Sequence, residues 1–324
     1  MDFAISEEQA QLVEAAREYA AERIAPYFQQ REREERFDRA TLQEMGKLGF
    51  FGVELPAEAG GLGLDCLTSG LVLEAIAGAD YSLAYHPLTV SLIGQILHRY
   101  GNPDIVGPYL RGMTSGHLIP NIALTEPGAG SDAANLQLRA RRTSEGWVLH
   151  GEKTSISMAT QADFSVLFAR TGEPDSSHRG VSAFLVPLNE DPTITRGGFH
   201  DHGSRSAGRG TLHFDGTVVP SHHLLGEENA GFVQVMTGFD YSRALIGLQS
   251  LAVARVSLDE TWAYTRQRET FGAPLSERQG VTFPLAEHET YYSAARLLCL
   301  QTLWRKDHDL PHTQEAAMAK WWAP

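Results

Sequence analysis

Cysteine is nearly missing from this chain of 324 residues: only Cys66 and Cys299 occur, far apart and in no metal-binding spacing. Neither a disulfide framework nor a cysteine zinc site is expected, and a reducing cytoplasm suits the chain. Positive charge is also short. Lys and Arg number 27 against 40 Asp and Glu, a formal net charge of -13. That balance argues against nucleic acid as a partner and leaves room for a local basic pocket around a phosphorylated ligand. No stretch reaches the roughly 18 apolar residues of a membrane span. The N-terminal MDFAISEEQAQ has no basic region ahead of an apolar core, so no targeting segment is read. Internal repeats and low-complexity tracts are absent too. What is there, 42% hydrophobic and 21% charged residues, is the balance of a globular protein with two or three cores.

Helical periodicity fills residues 1–118. Ser6 with Gln9 matches a capping box, and Leu12, Val13, Ala16, Tyr19, Ala20 and Ile24 recur at helical spacing until Pro26. Leu42, Met45 and Leu48 suggest a second helix stopped by Gly49, and the run from Pro56 to Asp65 is a glycine-rich loop. Apolar helical stretches follow at 71–77 and at 90–100, the latter closed by Gly101. Near Leu118 the period changes. Leu136, Leu138 and Ala140 alternate with Gln137, Arg139 and Arg141, a turn falls at Ser144 to Gly146, and the extended pattern resumes at Trp147. Further β-rich segments at 164–169, 181–186 and 211–214 predict a small antiparallel β-domain over 119–225. Over 226–324 the helical period returns, with Leu245, Leu248, Ala252 and Val256 on one stripe. Phe283, Leu285, Ala286, Ala294, Ala295 and Leu298 suggest another long helix. The fold class is therefore α+β: an N-terminal helical domain, a central antiparallel β-domain and a C-terminal helical bundle.

The densest motif is TEPGAGSD, Thr125 to Asp132. Gly128, Gly130 and Ala133 satisfy the dinucleotide pattern G-x-G-x-x-A, but that pattern requires a following helix, and here the residues alternate as a strand. Taken alone, the motif reads equally as a glycine turn between strands. His200 with His202, and His222 with His223, lack completing ligands, so no metal site is expected. Trp321 and Trp322 read as packing.

TEPGAGSD, GEK at Gly151 to Lys153, GSR and RG within 203–210, FDGTVVP at 214–220, FDYSR at 239–243 and RQRETFGAPLSERQ at 266–279 occur in one order. In that order they resemble the flavin-dependent acyl-CoA dehydrogenases over nearly the whole chain. The GEKTSIS and GSRSAGRG wording resembles the branch acting on alicyclic or branched acyl-CoAs or on carrier-bound acyl groups. The resemblance implies the same three-part fold, FAD as cofactor, a homodimer or homotetramer, an acyl-CoA substrate and an electron-transfer flavoprotein as acceptor. Fatty acid or alicyclic acid metabolism would be its setting.

By that likeness Thr125 reaches the flavin ring, and Ser131 lies near the pyrophosphate and the CoA chain. Ser157 stands where a Thr usually donates to flavin N5, and Ser155 where a Trp usually covers the flavin edge; serine can keep the first role and not the second. Arg268, Thr270 and Phe271 match positions that reach the flavin of a neighbouring subunit, and Gln279 matches a further cofactor contact. Arg243, with Asp240 close by, matches a position near the CoA moiety.

Dehydrogenation also needs a carboxylate base. The resemblance implies a Glu in a segment following Pro324; Ser242 holds the alternative position, and Asp240 and Asp80 are the weak internal candidates. Two other readings stand beside dehydrogenation: a non-catalytic interaction protein of the same fold, and a flavin monooxygenase or acyl-oxidase branch of the superfamily.

Overall fold

A computed structural model describes residues 3–324 apart from Pro174 and Glu190. Helices α1 (Glu7–Tyr19), α2 (Phe28–Glu34), α3 (Arg39–Lys47), α4 (Cys66–Ala79), α5 (Tyr85–Tyr100) and α6 (Pro103–Thr114) come first. Strands follow: β1 (Pro120–Ala123), β2 (Arg139–Arg142), β3 (Trp147–Ile156), β4 (Phe164–Arg170), β5 (Val181–Pro187), β6 (Ile194–Gly198), β7 (Gly210–Val219) and β8 (Leu224–Leu225). The long α7 (Gly231–Gln267), a hairpin of β9 (Glu269–Thr270) and β10 (Ala273–Pro274), α8 (Gln279–Asp307) and α9 (Thr313–Trp322) complete the order. Among the described residues no helix is long and apolar enough to cross a membrane. Helical, β and helical regions thus succeed one another as expected.

Backbone proximity divides the chain into two units. The first takes the segment ending at Pro26, then Asp65–Ala84 and Asp240–Pro324; the second takes Tyr27–Leu64 and Tyr85–Phe239. In the first unit the capping box of α1 is present, Ser6 accepting from the Gln9 N–H and the Gln9 side chain accepting from the Ser6 N–H. The Gln9 amide also donates to Asp65 and to Thr68 at 2.8 Å each, tying α1 to the start of α4. Helix α1 ends short of Pro26 through a π turn over Ala20–Ile24, as a proline without an N–H and with a bulky ring demands. Asp307 of α8 accepts from the N–H groups of Cys66 and Leu67 at 2.7 and 3.0 Å, placing a carboxylate at the N-terminus of α4. Gly70 lets α4 approach its neighbours closely, since a Cβ there would stand 2.5 Å from Leu303 and 2.9 Å from Leu248.

The second unit is built on an eight-stranded sheet of order β6-β7-β3-β2-β4-β5-β8, with β1 also paired to β4. Every residue of β4 is buried, which suits its aromatic and β-branched sequence. Trp147 packs edge-on against Phe184 at 5.4 Å. The sheet is mostly antiparallel as expected, with two exceptions: β1 and β2 both run parallel to β4. Sequence reading did not resolve α6 and β6. Asn102 caps α6 and Pro103 occupies its first turn, a start signal embedded in a short apolar run.

His86, on α5, is fully buried with its ring edge-on to Phe51 at 4.5 Å. Burial pushes its pKa from 6.5 down to about 3. The folded state leaves His86 neutral between those values while the unfolded chain takes up a proton, so stability falls as pH drops from about 6.5 toward 3. The slope reaches about 1.4 kcal/mol per pH unit. His86→Leu should flatten the decline between pH 6 and 4 by about that amount in urea denaturation, and an unchanged slope would refute the assignment.

Candidate functional site

Strand β5 pairs along the whole of β4, so β1 and β2 share its other edge: β1 covers Phe164 to Leu167 and β2 begins opposite Arg170. Between them residues 124–138 leave the sheet and come back to the same edge. This excursion carries TEPGAGSD. Glu126 and Ala129 exchange backbone hydrogen bonds at 3.1 Å each, so Pro127 and Gly128 form an exposed tip. A Cβ on Gly128 would meet no atom within 4 Å, leaving its backbone open to a ligand. Thr125 is half-buried, and its carbonyl accepts from the Thr154 N–H of β3 at 2.9 Å. Ser131 is exposed. A 3-10 turn over Ala133–Asn135 and then a strand follow, so no helix opens here and the dinucleotide fingerprint is not met.

At the end of β3 the register with β7 shifts between Lys153 and Ile156, a bulge that throws Ser155 outward in the left-handed region at φ 56. Ser157 follows, half-buried in the turn. The Thr154–Thr125 hydrogen bond thus sets Thr125 beside the turn that carries Ser155 and Ser157, with Ser131 six residues on along the exposed tip.

Next to that contact lies a charge pair that sequence reasoning missed. Lys153 is 0% exposed and Glu126 6%. The Lys153 Nζ donates to Glu126 Oε1 at 2.7 Å and to the Leu124 carbonyl at 2.9 Å. Glu126 also accepts from the N–H groups of Gln137 at 2.5 Å and Leu138 at 2.9 Å. Burial pushes the Lys153 pKa from 10.5 down to about 8, against the pull of the Glu126 carboxylate. Arg170, 1% exposed, donates to the carbonyls of Leu136 at 2.9 Å, Ala134 at 2.7 Å and Ser177 at 3.0 Å. For Lys153 and Arg170 the signal was a charged residue on an otherwise apolar strand face; Glu126, on the excursion, gave none.

The remaining site residues belong to the other unit. Arg268 is exposed just after α7, and its carbonyl accepts from the Leu275 N–H at 2.8 Å, closing the β9–β10 hairpin. Thr270 is half-buried, with its carbonyl accepting from Arg278 at 2.7 Å. Phe271 stands 98% exposed at the hairpin tip with φ 53, followed by Gly272 at φ 77. Gln279 is exposed at the start of α8. On α7, Asp240 pairs with Arg243 one turn on and accepts from Thr313 at 2.6 Å, while Ser242 is buried. Asp80, 6% exposed, accepts from the Leu83 N–H at 3.0 Å. Both internal carboxylate candidates are therefore already engaged by donors. Trp322 meets Tyr291 edge-on at 5.9 Å, whereas Trp321 is 79% exposed. Among the described residues no group of three or more His, Cys, Asp or Glu could hold a metal ion.

Family models match three successive segments: the acyl-CoA dehydrogenase N-terminal domain over residues 6–117, the middle domain over 121–217 and the C-terminal domain over 229–324. The mitochondrial short-chain specific acyl-CoA dehydrogenase of Mus musculus is 36% identical over 312 residues, covering 95% of this chain and 75% of that protein. The caffeyl-CoA reductase-Etf complex subunit CarC of Acetobacterium woodii is 31% identical, covering 98% and 84%. A solved glutaryl-CoA dehydrogenase from Mycobacterium smegmatis in complex with FADH2 superimposes with a TM-score of 0.90 at 25% identity, covering 98% of this chain and 81% of that one.

A bulky side chain in the left-handed region costs about 1 kcal/mol, and the exposed Phe271 ring recovers none of it by packing within the chain. Phe271→Asn should raise the urea stability of the ligand-free protein by up to about 1 kcal/mol, since Asn tolerates that backbone. A loss of stability would refute the strain.

Proposed function

The chain belongs to the acyl-CoA dehydrogenase family, and from that premise we propose that it binds FAD and dehydrogenates the Cα–Cβ bond of an acyl-CoA thioester. The observation that carries this reading is the open glycine turn with hydroxyl side chains around it. A phosphate-rich, planar cofactor needs close backbone approach, short hydroxyl donors at its polar edge and a cation for the pyrophosphate. Gly128 supplies the first, as its unobstructed backbone indicates. Thr125 and Ser157 supply the second, and the exposed Arg268 offers the third to the cofactor of a neighbouring subunit. The residues present therefore fit FAD.

Bound FAD would accept the hydride leaving Cβ. The protein's part is to hold and orient. Thr125 offers its hydroxyl and backbone to the ring, Ser157 donates where the ring must be polarised, and Ser131 lies along the path of the pyrophosphate and CoA. Arg268, Thr270, Phe271 and Gln279 engage the cofactor of a neighbouring subunit in a homodimer or homotetramer. The outward Phe271 ring suits stacking on adenine. Arg243, oriented by Asp240, faces the CoA moiety. The α-proton passes to a carboxylate other than Asp240 or Asp80, whose oxygens are held by donors. Because CarC is named as a subunit of an Etf complex, we assign an electron-transfer flavoprotein as the acceptor.

One observation favours an oxygen-reactive relative instead. Ser155, exposed on its bulge, offers no aromatic surface to shield the flavin edge from water and oxygen. Rapid reoxidation of the reduced protein by air would select that branch.

The test is anaerobic titration of the FAD-loaded protein with straight-chain, branched, alicyclic and carrier-bound acyl thioesters. At least one should bleach the flavin absorbance; a loaded protein that bleaches with none would leave a non-catalytic binding protein. Arg268→Ala should lower the FAD content of the purified protein, and unchanged content would remove Arg268 from the site.

A further inference from the structure

We propose that Lys153 is a positioning residue for the cofactor: through Glu126 it fixes the excursion that carries Thr125 relative to the strand that carries Ser157. This rests on the reading that the excursion holds FAD.

The geometry is that of a cinch. The outgoing foot of the excursion presents the Leu124 carbonyl, and the returning foot presents the N–H groups of Gln137 and Leu138. All three converge on the Lys153–Glu126 pair, which lies out of reach of water. Arg170 takes the Ala134 and Leu136 carbonyls from the same returning foot. At the tip Pro127, Gly128 and residues 130–132 are exposed, while Ala129 is buried and bonded to Glu126. Lys153 belongs to β3, and its neighbour Thr154 donates to the Thr125 carbonyl. The distance from Thr125 to Ser157 is therefore set along a short covalent path from Lys153 and a hydrogen bond beside it.

Stability alone is a poor reason for this arrangement. A buried ion pair costs about as much desolvation as it returns in attraction, and apolar pairs of equal volume often serve as well or better. What an apolar pair cannot do is draw one carbonyl and two N–H groups to a single point. The pair therefore acts through geometry, and its removal should be read in cofactor binding more than in folding.

The experiment compares wild type with Lys153→Met/Glu126→Met, which removes both charges together and leaves neither buried alone. Apoprotein is titrated with FAD by quenching of flavin fluorescence, and thermal unfolding of the same apoprotein is followed in parallel. The double variant leaves the Leu124 carbonyl and the Gln137 and Leu138 N–H groups unpaired, so it should unfold at a lower temperature. Its Kd for FAD, measured well below that transition, should nonetheless rise by about tenfold or more. Equal affinity in a folded double variant overturns the proposal, as does a Kd that rises only in step with a collapse in stability. Should the double variant not fold, Lys153→Arg decides: it keeps the charge and the Glu126 pair but changes the arm's length. It should fold and lose FAD affinity, and wild-type affinity in it overturns the proposal. A wild-type protein that takes up no FAD overturns the functional reading, whereas uptake that is equal in wild type and variants overturns this inference alone.

Discussion

Placing an ammonium where water cannot reach it costs several kcal/mol unless its hydrogens are used. Lys153 uses them on Glu126 and on the Leu124 carbonyl. Glu126 in turn uses its spare lone pairs on two backbone N–H groups. The consequence reaches beyond the pair, because all the backbone groups involved belong to the two feet of a segment with no strand partner of its own. Strand β4 has a continuous neighbour on one edge and an interrupted one on the other. An interruption in a buried edge exposes unpaired backbone groups, and these have to be satisfied by something other than a ladder. Lys153 of β3, Arg170 of β4 and Glu126 of the excursion itself do that here. With the feet fixed, the tip can be glycine-rich and exposed without being loose, as a loop on a rigid scaffold must be to hold a ligand.

The helical unit solves a different problem with milder means. Its ion pairs are partly exposed: Arg296 grips Glu74 through two bonds of 2.7 and 2.8 Å, and Arg255 grips Glu289 likewise at 2.7 and 2.9 Å. Pairs of this kind contribute little free energy at the surface but resist sliding when bidentate. They set the register of α8 on α4 and on α7, while apolar packing around Gly70 supplies the closeness. In the sheet unit charge shapes a loop; among the helices it aligns rods.

Much of this was legible in the sequence, and what was not has physical causes. The capping box at Ser6 and the stop at Gly101 follow from local signals, which survive folding, and the strands expected at 164–169 and 181–186 follow from their β-rich composition. The three-part order follows from both. The stripe on α7 held for Leu245, Leu248 and Ala252, but Val256 is 39% exposed. Strand β6 escaped because two of its five residues are glycine and its burial does not alternate. The parallel pairing of β1 and β2 with β4 is a long-range fact that no local pattern encodes. At the candidate site the motifs drew out Thr125, Ser131, Ser155 and Ser157, of which the fold sets Thr125 beside the turn that carries Ser155 and Ser157. Lys153 and Arg170 stayed hidden, since charged residues in strands ordinarily read as solvent-facing, and Glu126 because it lies at a turn outside the strands. Alternation does place Lys153 on the buried face, against the expectation for its charge. The irregularity after Leu149 puts its extra residue, Gly216, on β7 and leaves Lys153 in phase with the buried Trp147 and Leu149. The second, a bulge in β3 before Ile156, is the one that shifts the inward phase.

That second bulge separates two tasks within a few residues. It lets Lys153 and Ile156 both point into the core, and it must then turn Ser155 out through a left-handed backbone. The conformation at 155 is dictated by the register of β3 against β7 and by the inward anchors on either side, while the Ser155 side chain contributes no hydrogen bond among those that hold the excursion. A change of side chain at 155 therefore alters the chemistry of the rim, its bulk, its polarity and its access to water, at little cost to the clamp beneath. The reverse does not hold. A change at Lys153 would release the excursion and with it Thr125 and Ser131. Holding and exposing are thus assigned to neighbouring residues with opposite tolerance, and the residue at 155 can be exchanged without disturbing the frame that carries Thr125 and Ser157.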